Sequence, residues 1–242
     1  MKFSPLLVSC DLAGPLAGDP PALEALLLDR AVVLRGDWRR VTRDGPPPPQ
    51  GEIPLPVGAT WLGGWLVYHC SAPILSEAAF DAARHHHQRY PVERADWLDP
   101  AERTQVNTTG GAFKSYRLPN RVRGVRTVCW VAEGNWREMR KLLRDVTHLG
   151  KDRAQGYGAV RRADADADAS GRRVSEWRAE ERPDLAGCWW YARREAGELV
   201  LMRALPAGPW LPAGLAGARR EYAAVAPPCW HPARQAEAVV PC

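Results

Sequence analysis

The period of the apolar positions changes several times along the chain, and each change marks an element. Residues 2–10 are almost continuously apolar, the pattern of a strand buried on both faces, until Gly14, Pro15 and Gly18 break it. Beyond Pro20 and Pro21, Leu23, Leu26, Leu27 and the pair Arg30/Ala31 recur at helical spacing. They predict a helix over about 21–34, with proline tolerated in the first turn. The stiff connection from Gly45 through Pro46, Pro47, Pro48 and Pro49 to Gly51 leads into strand-like runs at 52–56 and 61–71. Residues 76–118 are polar and hold no sustained period, so they read as an insertion or hairpin arm. His85, His86 and His87 fall in an exposed polar turn of that arm, because three consecutive side chains diverge and make a poor metal chelate.

The second half is more regular. Val122–Val131 is a strand by its β-branched content, ended by Gly134, with Asn135 as the N-cap of a following helix. Trp136, Met139, Leu142, Leu143, Val146 and Leu149 form one apolar stripe, opposite Arg137, Arg140, Lys141 and Arg144, and Gly150 stops the helix. A strand over Tyr157–Arg162 is extended by Asp164, Asp166 and Asp168, which alternate with alanine and put the acids on one face. Strand-like pieces recur at Cys188–Arg193 and Glu198–Leu205, and residues 206–242 look irregular. The order strand, helix, arm, strand, helix, strand predicts an α+β fold. It fits a ferredoxin-like split β-α-β unit with two helices on one side of an antiparallel sheet. Residues 1–174 would form that domain, with an insertion over approximately 45–118, and residues 175–242 a C-terminal extension packed on it.

Composition narrows the function classes. With 242 residues, 45% hydrophobic and 25% charged, the chain buries a real core and is not globally disordered. The N-terminal apolar run is short and interrupted by Pro5 and Asp11, and nothing approaches the ~18 apolar residues of a membrane span, so a soluble cytoplasmic protein is expected. The six cysteines include no close pair, and Cys10 and Cys129 read as small core residues. A zinc site from Cys188, Cys229, His231 and Cys242 can be drawn but lacks the usual paired spacing; no cofactor or metal is expected. The 11 tryptophans suit cores, interfaces and base stacking alike.

Charge is more telling by position than by total. The net charge is +5, but residues 103–162 hold 14 basic and 4 acidic residues, while the rest of the chain holds 19 and 24. From Arg103 to Arg126 there are six basic residues and no acid, which points to a polyanion partner.

That basic region ends in the loop Gly150-Lys151-Asp152-Arg153-Ala154-Gln155-Gly156-Tyr157-Gly158. A phosphate-binding loop runs from strand to helix so that helix N-terminal amides face the phosphates, whereas the order here is helix, loop, strand, which excludes nucleotide hydrolysis and dinucleotide binding. A plain turn would need Gly150 alone. A nucleic-acid cradle uses the whole motif: glycines admit a close sugar-phosphate, Lys151 and Arg153 meet phosphate oxygens, and Tyr157 stacks on a base.

Leu149–Val160 resembles the glycine-rich loop of the RAMP proteins of CRISPR effector complexes, and most closely the Cas-five-type subunit of type IV systems, the third Csf subunit. Leu6–Pro15 is similar to that family's first strand and Pro21–Val32 to its first helix. Phe113–Pro119 resembles the segment leading from the arm into the central strand, and Arg203–Pro206 and Pro227–Pro232 resemble motifs near the family's C-terminus. The resemblance implies a ferredoxin-like, RRM-related core with a hairpin thumb. It also implies a non-catalytic role: binding and capping the 5′ handle of the CRISPR RNA, beside a filament-forming backbone subunit and a large subunit near target DNA and its PAM. The RNA-contacting residues expected are Lys114, Tyr116, Arg117, Arg121, Arg123, His148, Gly150, Lys151, Arg153, Gln155, Gly156, Tyr157 and Gly158. Two alternatives stay open. One is a metal-independent endoribonuclease acting on repeat RNA through His148, Tyr116, Lys114 and Tyr157. The other is a protein scaffold whose tryptophan-rich surface binds neighbours.

Overall fold

The computed structural model describes residues 2–36, 49–88, 116–167, 173–193, 199–208, 211, 219–227 and 234–240. The first half holds β1 (Ser4–Asp11), β2 (Leu16–Ala17), α1 (Leu23–Arg35), β3 (Ala59–Leu62), β4 (Trp65–Tyr68), β5 (Ile74–Leu75) and β6 (Asp81–Gln88). The middle holds β7 (Tyr116–Arg123), β8 (Thr127–Gly134), α2 (Trp136–Leu143), β9 (Arg162–Ala167), β10 (Arg173–Ser175) and β11 (Trp177–Glu181). The last part holds β12 (Tyr191–Arg193), β13 (Leu199–Leu201), β14 (Leu205–Pro206), β15 (Arg219–Ala224) and β16 (Gln235–Val240).

The architecture is mixed α+β with antiparallel pairing throughout the described sheets. The central sheet runs β11-β1-β8-β5, with β1 paired to β8 over its whole length. Alternation along β1 and β8 sends their side chains to two separate cores. Leu6, Val8 and Cys10 with Val128, Trp130 and Ala132 meet Leu23 and Leu27 of α1 and Met139 and Leu143 of α2. On the opposite face, Leu7 and Val131 meet Trp189, Leu201, Leu205 and Val239. The N-terminal strand is thus covered on both sides, as its largely apolar run implies.

Several expected elements hold with small shifts. α1 starts after Ala22 and ends at Gly36, which takes the left-handed conformation (φ 74°) of a helix C-terminus. Asn135 caps α2, its side chain accepting the Glu138 N–H at 3.2 Å. The apolar stripe behind Trp136, however, outlasts the helix. α2 closes at Leu143, and Val146 and Leu149 are buried from the connection that follows. β-branched Val146 and Thr147 favour leaving the helix, and Val160 N–H bonds Thr147 O at 2.9 Å. Gly150 therefore lies in the connection and does not end the helix.

Other expectations are corrected by pairing that local pattern does not reveal. The strand expected over Val122–Val131 is two strands, β7 and β8, separated at 124–126. The histidine run is not a turn: it lies within β6, which pairs with β7 from Asp81↔Arg123 to Gln88↔Tyr116. The run at 61–71 is the hairpin β3–β4 around Gly63 and Gly64, and 52–56 forms no strand. The strand expected over Tyr157–Arg162 begins at Arg162; residues before it make isolated bridges, His148↔Ala159 and Leu12↔Val160. The alternating side chains of Asp164 and Asp166, and Asp168 itself, lie outside the described residues, as do Cys229, His231 and Cys242 of the drawn zinc site. Of the described tryptophans, 65, 130, 136, 177, 189 and 190 pack in the cores, and Trp61 alone among them is exposed.

Candidate nucleic-acid interface

The glycine-rich loop lies against the segment between β1 and β2. Lys151 N–H bonds Ala17 O at 2.8 Å, Gly158 N–H bonds Pro15 O at 2.8 Å, and Ala13 N–H bonds Ala159 O at 2.7 Å. Close backbone approach sets two of its glycines. A Cβ on Gly150 (φ 75°) would stand 2.4 Å from Ala17 O, and one on Gly158 (φ 62°) 2.0 Å from Leu149 O. Gly156 (φ 84°) has nothing near its would-be Cβ, so it alone of the three leaves open space. Residues 153–155 between them form one 3-10 turn, preceded by Asp152 at φ 53°, a left-handed conformation rare for a residue other than glycine.

The arm reaches the same place from the other side. β7 is the middle strand of β2-β7-β6, so β2 carries both the arm and the loop. Across the β6–β7 ladder Arg84 faces Asn120, and both side chains turn to the loop. Arg84 donates to the Tyr157 hydroxyl, and its guanidinium lies 5.6 Å from the Tyr157 ring centroid. Asn120 donates to the Asp152 carboxylate. The walls so fixed border an open groove of about 200 Å³, lined by Arg84, His85, Asn120, Val122, Asp152, Gln155 and Tyr157.

The sequence-derived candidates separate into groups here. Lys151, Arg153, Gln155 and Gly156 are exposed on the loop. The carbon stem of Lys151 runs along Gly18, where an added Cβ would lie 3.0 Å from it, so the stem is guided while the ammonium stays in solvent. Tyr157, expected to stack on a base, is 7% exposed and packs with Ala17 and Val122. Its ring already fills the floor of the groove, which leaves the hydroxyl as an anchor for Arg84. His148 is half-buried on the bridge to Ala159, its ring Nδ1 2.9 Å from the Thr147 hydroxyl oxygen; since α2 has already ended, it does not cap the helix.

Arg121 and Arg123 point to the face of β7 opposite the loop, by alternation with Asn120 and Val122. Arg121 forms a two-pronged, exposed ion pair with Asp81, Nε lying 2.9 and 3.0 Å from its two oxygens. The Arg123 side chain is 12% exposed; it donates to Asp19 at 2.6 Å and to Gly18 O at 3.0 Å. Arg123 thus clamps the turn after β2. Tyr116 and Arg117 begin β7, with side chains outside the description, and Lys114 lies outside the described residues. Arg84, Asn120 and Asp152 were not singled out by sequence. Arg84 and Asn120 stand 73 and 32 residues from their loop partners, and only the β6–β7 register brings them there.

Residues 77–196, about half of the chain, span both the arm and this loop, and they match the family model for CRISPR type IV associated protein Csf3. The match supports a type IV CRISPR-associated subunit. A subunit of that kind partners with other subunits of its complex. No curated protein matches the chain. Among the described residues no helix is long and apolar enough to cross a membrane, and no three His, Cys, Asp or Glu side chains are grouped to hold a metal ion.

Proposed function

We propose that this chain is a non-catalytic RNA-binding subunit of a type IV CRISPR ribonucleoprotein, and that its glycine-rich loop and arm hold the 5′ handle of the CRISPR RNA. The observation that carries the reading is the exposure of Lys151 and Arg153 on a backbone-pinned loop, inside the segment that matches the type IV family. Two exposed cations beside an open glycine suit a sugar-phosphate, which asks for charge and close backbone approach together. Arg121, on the face of β7 away from the loop, is a separate cation open to the RNA, because an exposed ion pair such as Arg121–Asp81 is worth about 0–1 kcal/mol and yields readily to a phosphate. Lys114, Tyr116 and Arg117, from the same basic stretch of sequence, are proposed as further RNA contacts.

The finer fold assignment belongs to this reading as well. The sheet order β11-β1-β8-β5, with α1 between β1 and β5 and α2 between β8 and β11, supports reading the core as a ferredoxin-like split β-α-β unit. The arm β6–β7 would then be the thumb of a Cas-five-type RAMP subunit. The backbone filament and the large subunit are the proposed partners, with target DNA near the PAM, and the cytoplasm is the proposed compartment. A non-catalytic role fits the candidate groups: the Tyr157 hydroxyl accepts from Arg84, and His148 Nδ1 is held by Thr147.

The test is co-purification with CRISPR RNA. Replacing Lys151 and Arg153 together by glutamate is expected to abolish RNA retention while the chain remains folded. Retention equal to wild type would remove the loop from the interface. Incubation with repeat RNA in EDTA checks the non-catalytic reading: no specific cleavage is expected, and cleavage lost in His148→Ala would replace it with an endoribonuclease.

A further inference from the structure

The groove between arm and loop has a chemistry that phosphate binding does not call for. Asp152 sits between Lys151 and Arg153, yet its carboxylate is drawn to the Asn120 amide inside the groove. A carboxylate there repels a phosphate and attracts hydrogen-bond donors. Holding it costs backbone strain, since Asp152 is the one residue other than glycine with positive φ among the described residues. Beside it the exposed Gln155 amide offers both a donor and an acceptor. Across from it, the guanidinium of Arg84 is fixed by the Tyr157 hydroxyl and ring, which orients a flat cation of the kind on which bases stack. A cavity volume of about 200 Å³ is smaller than a drug-sized site and on the scale of one nucleobase.

We propose that this groove is a base-reading pocket that selects guanine at one position of the bound RNA. The proposal rests on the RNA-binding reading above. Guanine is the base whose Watson–Crick edge presents two adjacent donors, N1–H and the 2-amino group, and a carboxylate accepts both. Cytosine and adenine pair a donor with an acceptor on the matching atoms, and the acceptor would face Asp152 unfavourably. The Gln155 amide N–H completes the set by donating to guanine O6. In this arrangement Arg84 supplies the stacking plane, Asp152 and Gln155 supply specificity, and Lys151 and Arg153 supply the sequence-independent attraction.

The experiment is fluorescence anisotropy at fixed salt. The full chain is titrated against labelled eight-nucleotide oligouridine carrying one internal guanosine, inosine, adenosine or cytidine. Inosine keeps N1–H and O6 and lacks only the 2-amino group. Wild type is expected to bind the guanosine RNA roughly tenfold tighter than the inosine RNA, the scale of one good polar base contact. Asp152→Asn, which tolerates the left-handed backbone, is expected to erase that ratio. Gln155→Ala is expected to weaken guanosine and inosine RNAs together and leave their ratio intact, since both carry O6. Equal binding of the four RNAs by wild type would overturn the pocket while leaving RNA binding standing. A guanosine preference that survives Asp152→Asn would overturn the role of Asp152 and the proposal with it. Failure of wild type to bind any of these RNAs would remove the RNA-binding reading first, and the pocket with it. The wild-type comparison needs no variant, so misfolding of a mutant cannot mask the result.

Discussion

At the scale of single residues, the groove owes its shape to hydrogen bonds that turn side chains with other natural uses into fixed walls. The Tyr157 ring is packed and its hydroxyl anchors Arg84, while Asn120 holds Asp152. A separate polar cluster joins β8 to the C-terminal part. His69 Nδ1 lies 2.9 Å from a Glu133 carboxylate oxygen, His69 Nε2 lies 2.8 Å from the Thr60 hydroxyl, and the imidazole stacks on Trp189 at 4.3 Å. The other Glu133 oxygen accepts the Gly187 N–H at 2.8 Å. Burial holds the His69 pKa below its ordinary value of 6.5, and the Glu133 carboxylate opposes that effect only in part. The unfolded chain therefore takes up this proton first as the pH falls. The stabilisation is complete above about pH 6.5 and declines below it. Thermal unfolding at pH 7.5 and 5.5 is expected to show a larger loss of stability on acidification for wild type than for His69→Gln. An equal loss would show that the pair contributes nothing through protonation. Cys10, by contrast, is an inert core group, since burial pushes its thiol far above the usual range.

At the scale of elements, the loop separates glycines that build it from one that leaves it open. Gly158→Ala would drive a Cβ into the Leu149 carbonyl, whereas Gly156→Ala meets only the backbone cost of a left-handed residue, about 1–2 kcal/mol. Urea unfolding is expected to rank Gly158→Ala as clearly the more destabilising of the two, and the reverse order would contradict the loop geometry. Asn135→Ala removes the α2 cap and is expected to cost about 1 kcal/mol.

These elements also show what could be read in advance and why. β1, α1 and the Asn135 cap carry their signals within a few residues, in an apolar run, a helical period and a capping side chain, and all three lie where expected. The end of α2 was misplaced because Val146 and Leu149 are buried by a connection that continues the helix's apolar spacing without its geometry. The arm's pairing was hidden because β6 and β7 are polar and far apart in sequence, so no local period announces their ladder. The candidate site divided along the same line. Lys151, Arg153 and Gln155 were legible on an exposed loop, whereas Arg84 and Asn120 arrive only through that ladder. The acid-free run from Arg103 to Arg126 is not acid-free in space, because Asp81 and Asp19 come from elsewhere in the chain to Arg121 and Arg123.

At the scale of the whole molecule, a buried ion pair ties the C-terminal part to the first helix. Arg203 Nη2 donates to Glu24 at 2.9 Å, and Nη1 donates to the carbonyls of Tyr68 and Cys70, with both side chains under 10% exposed. The role of the Arg203 side chain here is structural. Arg203→Met strands a buried Glu24 carboxylate and is expected to cost about 3–5 kcal/mol in urea unfolding. Adding Glu24→Leu should recover much of that loss, because the remaining charge is then removed. A mild effect of the single change would mean that the C-terminal part is held by its apolar core alone.

The central claim is that the glycine-rich loop meets an RNA backbone through Lys151 and Arg153, and counterion release tests it most directly. The affinity of the full chain for single-stranded RNA should be measured across a series of salt concentrations, for wild type and for Lys151→Ala/Arg153→Ala. Each single-strand phosphate contact contributes about 0.7 to the slope of log affinity against log salt, so loss of two contacts should flatten the slope by roughly 1.4 and weaken binding at low salt. Identical slopes and affinities for the two proteins would contradict the account.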